Sequence, residues 1–482
     1  MQSTKKTLLS GVLYTAIARY SGILISLAVT AVLSRLLSPD DFGIVAIATV
    51  IISFFAIFTD MGISPAIVQN KELTDSDLSD LYSFTVWTGV IISILFFIAS
   101  WPISLWYHSS ILRILCQFLA IDLFFSSITI VPNALFYKNK EFKFIAWRSF
   151  IIQIASGTIG VIVALTGGGL YALIIGPILS SILIFLVSIN KYPQRLKFEL
   201  GICGVKKIFS YSAYQFSFNV LYYFSRNLDK LLIGKYMSMS LLGYYEKSYR
   251  LMTLPLQNIT HVITPVMHPV LSDFQQDIRK LSMSYEKIVR LLAFIGFPLS
   301  IILFFTAKEL TLIIFGNQWL PSVPVFKILS LSVGLQIILS SSGSIFQAAG
   351  DTKSLFKCGL FSSVLNVSGM LIGIFFIGTL EGVAICICIA YCFNFIQTYW
   401  QMYFITFQKR FILIFMKELI HAVFLSLILG LILYITNILT ESLNLFVSLT
   451  IKGILFIVIS SCYIQLSGEY DIINRIKSLK KR

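Results

Sequence analysis

Apolar runs of about 20 residues recur from one end of the chain to the other, separated by short polar stretches. An α-helix needs that length to cross roughly 30 Å of hydrocarbon. The strands of a membrane barrel instead alternate apolar and polar residues over about ten positions. The pattern therefore predicts an all-α polytopic membrane protein with about fourteen transmembrane helices. The predicted spans are residues 8–33, 42–67, 83–106, 111–132, 145–165, 169–189, 208–235, 242–268, 287–306, 322–347, 356–378, 380–404, 417–437 and 444–466.

Composition supports a lipid-facing surface rather than a large soluble core. Apolar residues make up 57% of the 482 residues, and charged residues only 12%. Soluble domains carry roughly 25% charged residues. Because single hydrophobic cores stop growing well below this chain length, the apolar surplus has to face lipid.

The net charge of +15 is unevenly distributed along the chain. With the N-terminus placed inside, basic residues collect in the cytoplasmic segments, whereas the opposite loops hold little more than Arg35, Lys235 and Lys308. This is the positive-inside pattern, and it predicts that both termini are cytoplasmic. Topology therefore explains the basic charge, and we expect no nucleic-acid partner. The cytoplasmic cations are Lys5, Lys6, Lys138, Lys140, Lys143, Lys191, Arg195, Lys197, Lys206, Lys207, Arg279, Lys280, Lys409, Arg410 and those of the tail from Arg475 to Arg482.

The first and second halves of the chain resemble each other, which indicates an internal duplication. Six spans precede each break, so the two copies have the same orientation and form a parallel repeat. We expect two pseudo-symmetric six-helix lobes, residues 1–200 and 201–410, facing each other across a central cavity. Residues 411–482 then add two extra transmembrane helices and a basic cytoplasmic tail. The matched pairs include Lys6 with Lys206, Arg35 with Lys235, Gly43 with Gly243 and Pro65 with Pro265, and further along Arg113 with Lys327 and Phe142 with Phe356.

Several short motifs give the chain a family resemblance. The segment 34–43, Ser-Arg-Leu-Leu-Ser-Pro-Asp-Asp-Phe-Gly, resembles the hairpin after the first span of bacterial polysaccharide transporters. These are the Wzx-type flippases of the multidrug/oligosaccharidyl-lipid/polysaccharide (MOP) superfamily, known from lipopolysaccharide biosynthesis. Segments 227–245, 315–319 and 349–353 also fit the pattern of this family, and their order and spacing match it over nearly the whole chain.

The resemblance implies a function and a setting. Family members alternate between inward-open and outward-open states in the bacterial inner membrane. The implied substrate is an undecaprenyl-diphosphate-linked oligosaccharide, an O-antigen, capsule or exopolysaccharide repeat unit, which moves from the cytoplasmic to the periplasmic leaflet. Membrane lipids, a polysaccharide polymerase and a chain-length regulator are the further partners that it implies.

Cations deep inside spans are the candidate ligands for an anionic lipid head. An intramembrane charge is costly unless it faces a cavity or a partner, and arginine binds phosphate through two parallel hydrogen bonds. A cationic cavity for the diphosphate is therefore our main hypothesis, although snorkelling or ion pairing with Glu246 or Asp229 is the alternative. The candidate residues are Arg19 near the middle of the first span, Arg226 and Lys230 on the seventh, and Lys247 and Arg250 on the eighth.

Other polar residues of the spans are candidates for sugar contacts and ion coupling. Aromatic faces stack on sugar rings and amides bond to their hydroxyls, which selects Gln215, Asn219, Tyr222 and Tyr223. Buried carboxylates are candidates for proton or sodium coupling. These carboxylates are Asp60, Asp122 and Asp229; Asp60 lies close to a helix end, where a capping role is the alternative.

Two other classes of function are weighed against the flippase. A cation-coupled drug antiporter of the multidrug and toxin extrusion (MATE) type would share the fold, but usually has an acidic pocket for cationic substrates. An enzyme would need a catalytic carboxylate or histidine constellation in a large loop outside the membrane. The four histidines are scattered at span ends, so we expect no enzyme, no catalytic residues, no metal site and no cofactor. They are His108, His261, His268 and His421.

Overall fold

The computed structural model describes residues 2–197, 216, 219–220, 223–224, 226–408 and 412–467. The chain divides into two compact units, Met1–Gly243 and Tyr244–Arg482. The described residues form helices joined by short connections, and no β-strand occurs among them. The all-α class predicted from the apolar runs is confirmed.

Helices of the N-terminal unit pair along their length. Helix α4 packs along α5, α1 packs along α6, and α7 packs against both α5 and α6. This arrangement buries the small and apolar faces of each helix inside the unit. The helices are α1 (Gln2–Leu36), α2 (Pro39–Asp60), α3 (Ile63–Gln69), α4 (Asp75–Tyr107), α5 (Ser110–Lys138), α6 (Phe142–Leu165), α7 (Tyr171–Lys191) and the helical residues 226–236, here α8.

The C-terminal unit is organised around α10. Helix α10 packs along α17 and α13, and α15 packs along α16. Helices α15 and α16 each continue through a π-helical turn, to Ile377 and Thr406. The helices are α9 (Met239–Ser272), which begins in the N-terminal unit, α10 (Ile278–Phe305), α11 (Ala307–Phe315), α12 (Ser322–Ser330), α13 (Val333–Leu339), α14 (Ser342–Ala348), α15 (Thr352–Ile372), α16 (Leu380–Gln401), α17 (Ile412–Leu439) and α18 (Leu445–Leu466).

Among the described residues, eleven helices are long and apolar enough to cross a membrane. Each of the eleven coincides with a predicted span. The predicted span 322–347 is a helix pair bent by 44°, which gives up to twelve spans if the pair is counted as one. The predicted span 242–268 lies on α9, which is too polar to qualify, and part of 208–235 lies outside the described residues. The count of fourteen and the lobe boundaries at 200 and 410 stay predictions.

The last helix, α18, is held in the C-terminal unit by a buried ion pair. Lys452 is fully buried, and its ammonium contacts the carboxylate of Glu309 on α11. The same ammonium donates to the carbonyl of Phe305 at 2.9 Å and to the side-chain oxygen of Asn437 at 2.7 Å. The hydroxyl of Ser448 also donates to Glu309, at 2.7 Å. All three N–H donors of the lysine are therefore satisfied, which is the condition for keeping a charge in a dry interior.

We expect Lys452→Met to lower the thermal unfolding midpoint of the purified protein, because the Glu309 carboxylate would stay buried without its cation. Removing one member of a buried pair costs about 3–5 kcal/mol. The double variant Lys452→Met/Glu309→Leu should recover much of the midpoint, because neither charge is then left unpaired. A double variant that is no more stable than Lys452→Met would contradict the pairing.

Candidate functional site

Helix α8 carries three of the predicted site residues, Arg226, Asp229 and Lys230, and both α8 and the preceding Tyr223 contact α2. The Tyr223 hydroxyl donates to the carbonyl of Val50 at 2.6 Å, and the Tyr223 ring lies 5.4 Å from that of Phe54. Further along, Gly234 lies against the side chain of Ile47, where an added Cβ would meet a methyl carbon at 2.6 Å. Tyr223 was predicted to contact a sugar, but its hydroxyl is committed to a backbone carbonyl in this structure.

Helix α4 contacts the C-terminal half of α8, at Leu231 and Lys235. The Tyr107 hydroxyl donates to the carbonyl of Leu231 at 3.2 Å. The Lys235 ammonium donates to the carbonyl of Trp106 and lies 4.9 Å from the centre of its ring. Helix α8 is therefore held on two sides within the N-terminal unit.

The cations of α8 differ in exposure. Arg226 is exposed and Lys230, one helical turn further on, is half-buried. The Asp229 carboxylate accepts a hydrogen bond from the backbone N–H of Lys230 at 2.8 Å. Asn219 is half-buried. Gln215 and Tyr222, the other predicted sugar contacts, lie outside the described residues.

Arg19 lies on α1 with its side chain exposed. Helix α1 is held against α6, where the Gln153 amide donates to the carbonyl of Gly22 at 3.1 Å. That contact fixes the helix turn next to Arg19 without involving the guanidinium. Arg19 and Arg226 are therefore two arginines within predicted spans whose side chains are accessible to a ligand.

Lys247, in the C-terminal unit, is enclosed by aromatic rings. Its side chain is 2% exposed, and the ammonium lies 4.7 Å from the ring centre of Phe315 and 4.9 Å from that of Trp319. Cation–π contacts of this kind are strongest when the cation is desolvated. Arg250, one turn along, is half-buried. This geometry favours a packing role for Lys247, and the predicted contacts of both residues with a diphosphate stay predictions.

The predicted coupling carboxylates lie in different surroundings. Asp60 is the last residue of α2, and its carboxylate accepts hydrogen bonds from the backbone of Gly62 and Ser64. That arrangement is typical of a group that fixes a turn between two helices. Asp122, within α5, lies near the side chains of Ser126 and Ser181, and the Ser181 hydroxyl donates to the carbonyl of Ile178 at 2.9 Å. In the described part of the chain, no group of three or more His, Cys, Asp and Glu residues is arranged to hold a metal ion.

Arg148 is one of several buried charges, Lys452 and Glu309 among them, that the sequence did not reveal. Arg148 on α6 is 7% exposed, and it donates to Ser188 at 2.8 Å and to Asn133 at 2.8 Å. Its guanidinium also lies 5.0 Å from the ring centre of Phe136. The signal was available, because Arg148 is a charged residue inside the predicted span 145–165.

A neighbouring carboxylate is already paired and does not neutralise Arg148. Glu141, at the start of α6, forms an ion pair with Lys191 and accepts a hydrogen bond from the Tyr192 hydroxyl at 2.5 Å. Partial burial acts to raise the pKa of the Glu141 carboxyl, but the hydrogen bonds from Lys191 and Tyr192 outweigh it and lower that pKa. Arg148 is therefore held by neutral groups on two neighbouring helices, α5 and α7, which favours a structural role.

A reciprocal contact joins the first turns of α2 and α9 inside the N-terminal unit. A Cβ added to Gly43 would lie 1.8 Å from the carbonyl oxygen of Met239, and one added to Gly243 would lie 2.1 Å from that of Pro39. Gly43 corresponds to Gly243 in the predicted repeat, and Pro39 corresponds to Met239. Gly43 therefore approaches Met239 in the same way that Gly243 approaches Pro39. Reciprocity of this kind is the signature of two-fold symmetry, and it supports the internal duplication. Only glycine permits these backbones to approach so closely.

We expect Asp40→Cys and Ser240→Cys, in a background without the native cysteines, to form a disulfide under mild oxidation. The Ser240 hydroxyl lies 3.1 Å from the Asp40 carboxylate, so the two positions are adjacent. Adding Gly43→Val should largely prevent cross-linking, because the new side chain overlaps the backbone of α9. Gly359→Val, at a position with open space around it, is the matched control. Equal cross-linking rates with and without Gly43→Val would exclude the close contact.

The long apolar helices and their fold define a multi-span membrane protein. The structure is similar to the lipid II flippase MurJ in an inward closed conformation, with a TM-score of 0.74 and 16% identity, over 94% of this chain and 98% of that one. It is also similar to an inward-facing multidrug resistance MATE family transporter of the MOP superfamily, with a TM-score of 0.61 and 14% identity, over 80% and 97%. At these identities the likeness shows a shared fold.

Residues 32–324 match the family described as polysaccharide biosynthesis protein, and the chain belongs to this family. The chain is 25% identical to the teichuronic acid biosynthesis protein TuaB of Bacillus subtilis over 73% of each chain. It is 24% identical to the lipopolysaccharide biosynthesis protein WzxC of Escherichia coli, over 77% of this chain and 76% of that one. The succinoglycan biosynthesis transport protein ExoT of Rhizobium meliloti is 21% identical, over 76% and 74%. The family expected from the short motifs is confirmed.

Proposed function

We propose that the protein is a flippase for an undecaprenyl-diphosphate-linked oligosaccharide, which it moves from the cytoplasmic to the periplasmic leaflet of a bacterial inner membrane. The observation that carries this proposal is the pair of exposed arginines, Arg19 and Arg226, in a chain of the polysaccharide biosynthesis family. Relatives named for three different surface polysaccharides support the class of cargo. The fold shared with a lipid II flippase supports a lipid-linked cargo.

The proposed site solves the problem of moving an anionic, sugar-bearing head through hydrocarbon. Arg19 and Arg226 bind the diphosphate, since a guanidinium forms paired hydrogen bonds with phosphate oxygens and stays charged when dehydrated. Lys230, one turn from Arg226, adds positive charge on the same helix. Asn219 bonds to sugar hydroxyls, while the polyprenyl chain stays in the bilayer. Arg250, which is half-buried on α9, is a further cation of the proposed site, whereas Lys247, enclosed by Phe315 and Trp319, has a packing role one turn away.

We propose that transport proceeds by alternating access of two lobes. In this scheme the reciprocal contact of Gly43 and Gly243 with the opposite backbones closes the periplasmic side. Its opening then releases the head group to that leaflet. Asp60, Asp122 and Asp229 are the carboxylates through which a proton or sodium gradient would drive the cycle. A polymerase and a chain-length regulator would take the product.

A drug antiporter is the second candidate, because the fold is also that of MATE transporters. The sign of the site charge favours the flippase. Cationic drugs are attracted to acidic pockets, whereas the exposed charges at Arg19 and Arg226 are positive and would repel them.

We expect Arg19→Ala and Arg226→Ala each to reduce export of surface polysaccharide by about tenfold or more, because each removes a charge-assisted contact with the diphosphate. The lipid-linked oligosaccharide should accumulate at the cytoplasmic leaflet, where its protection from an externally added glycosidase is measured. Lys308→Ala removes an exposed cation outside the site and should leave export unchanged.

Arg19→Lys and Arg226→Lys separate charge from geometry, since lysine keeps the charge but binds phosphate at only one point. Intermediate export would support paired contacts with the diphosphate. Normal polysaccharide in both alanine variants, with the protein present in the membrane, would overturn the site assignment. A deletion strain with normal polysaccharide and altered drug resistance would favour the antiporter.

A further inference from the structure

An open groove lies between α4 and α5 on the outer surface of the N-terminal unit. Its volume is about 730 Å³, within the range of roughly 300–1,000 Å³ that is usual for small-molecule pockets. Its walls are mainly apolar, with Ile94 and Phe97 on α4 and Phe118 and Ile121 on α5. Each of these four side chains is more than 40% exposed, so the groove is open to the surrounding lipid.

Two polar side chains in this groove have no hydrogen-bond partner. The Ser93 hydroxyl is buried and unpaired, and Ser93 is only 8% exposed. Gln117 lines the same groove and makes no hydrogen bond to any residue that the structure describes. Unsatisfied polar groups are costly in an apolar setting that contains no water. The Ser93 hydroxyl is enclosed, but the half-buried Gln117 amide can be reached from the groove, and it points to a ligand that brings a hydrogen-bonding group there.

A cation stands at one end of the groove, four residues before Gln117. The guanidinium of Arg113 lies 4.1 Å from the ring centre of Trp101, and that ring contacts Phe97 in the groove wall at 5.6 Å. No carboxylate pairs with Arg113 among the described residues. The positive-inside topology places this end of α5 at the periplasmic interface, at the level of lipid head groups.

The spacing of these groups along α5 matches the chemistry of a phospholipid. Gln117 lies about 6 Å below Arg113, at 1.5 Å per residue. The interfacial layer of each leaflet is roughly 5–8 Å thick, so an arginine at phosphate level places this amide near the ester carbonyls. A polyprenyl diphosphate has no hydrogen-bonding group at that depth, because its chain below the diphosphate is hydrocarbon. The spacing therefore favours an ester lipid over the proposed cargo.

We propose that the α4–α5 groove is a binding site for an anionic glycerophospholipid of the periplasmic leaflet. The lipid phosphate pairs with Arg113, an ester carbonyl accepts a hydrogen bond from the Gln117 amide, and one acyl chain lies along Phe97 and Phe118. The Ser93 hydroxyl lies deeper on α4, about 12 Å along the helix from Trp101 at 1.5 Å per residue, and makes no contact with the lipid head group in this proposal. This site does not depend on the proposed transport function.

The test is a titration of the purified full-length protein with phosphatidylglycerol, with binding counted by native mass spectrometry. We expect Arg113→Ala to weaken binding about tenfold, because it removes a charge-assisted contact, and Gln117→Leu to weaken it about threefold. Lys327→Ala is the matched control. Lys327 is the repeat counterpart of Arg113 and also lies over an aromatic ring, that of Phe304 at 5.8 Å. Because Lys327 lies on α12 and not beside the α4–α5 groove, its removal should leave binding unchanged.

An ether-linked phosphatidylglycerol, which lacks the ester carbonyls, isolates the Gln117 contact. It should bind more weakly than the ester lipid to the native protein, and Gln117→Leu should cause no further loss. Phosphatidylglycerol binding that is equal in the native protein and in Arg113→Ala would overturn the proposal. Tighter, Arg113-dependent binding of undecaprenyl diphosphate than of phosphatidylglycerol would overturn the choice of occupant.

Discussion

A polar group inside hydrocarbon has no water to bond with, and most of this structure follows from that constraint. The backbone satisfies it by forming helices throughout the described residues. Three buried cations meet it in different ways, although the Nε of Arg148 has no hydrogen-bond partner among the described residues. Lys452 is paired with a carboxylate, Arg148 donates to neutral side chains on neighbouring helices, and Lys247 lies against aromatic rings. Each solution ties together helices that lipid would otherwise separate, so the same charges that are costly to bury also hold the units together.

The charges that we propose for function differ from these buried cations in being exposed. Arg19 and Arg226 are exposed within predicted spans, and such residues persist in membrane proteins when they face a cavity or a ligand. The groove between α4 and α5 presents a second feature, because neither Gln117 nor the enclosed Ser93 hydroxyl in its wall has a hydrogen-bond partner among the described residues. One set of groups suits a charged cargo in transit, and the other suits a resident lipid. In our two proposals, one lipid is the transported substrate and another is a bound ligand.

The predicted duplication adds a geometric constraint to the chemical one. The first turns of α2 and α9 occupy corresponding positions of the two predicted repeats, and they meet through Gly43 and Gly243. Any side chain at either position would force the backbones apart. The capping serine and aspartate at the start of α2 fix that turn, since the Ser38 hydroxyl and the Asp41 carboxylate bond to each other's backbone N–H groups. In the transport cycle that we propose, a contact this tight would open and close as a unit rather than by small adjustments.

The sequence by itself determined the fold class, eleven of the helices and the family, because run length, charge placement and short motifs are local properties of the chain. It also selected Arg19 and Arg226 as charges within predicted spans, and their role in binding cargo stays a proposal. It did not reveal that Lys247 is enclosed by Phe315 and Trp319, that Arg148 contacts two neighbouring helices, or that the span 322–347 is bent. Those features were decided by the tertiary structure alone. The surroundings of a side chain depend on which helices pack beside it, and residues far apart in sequence supply those neighbours.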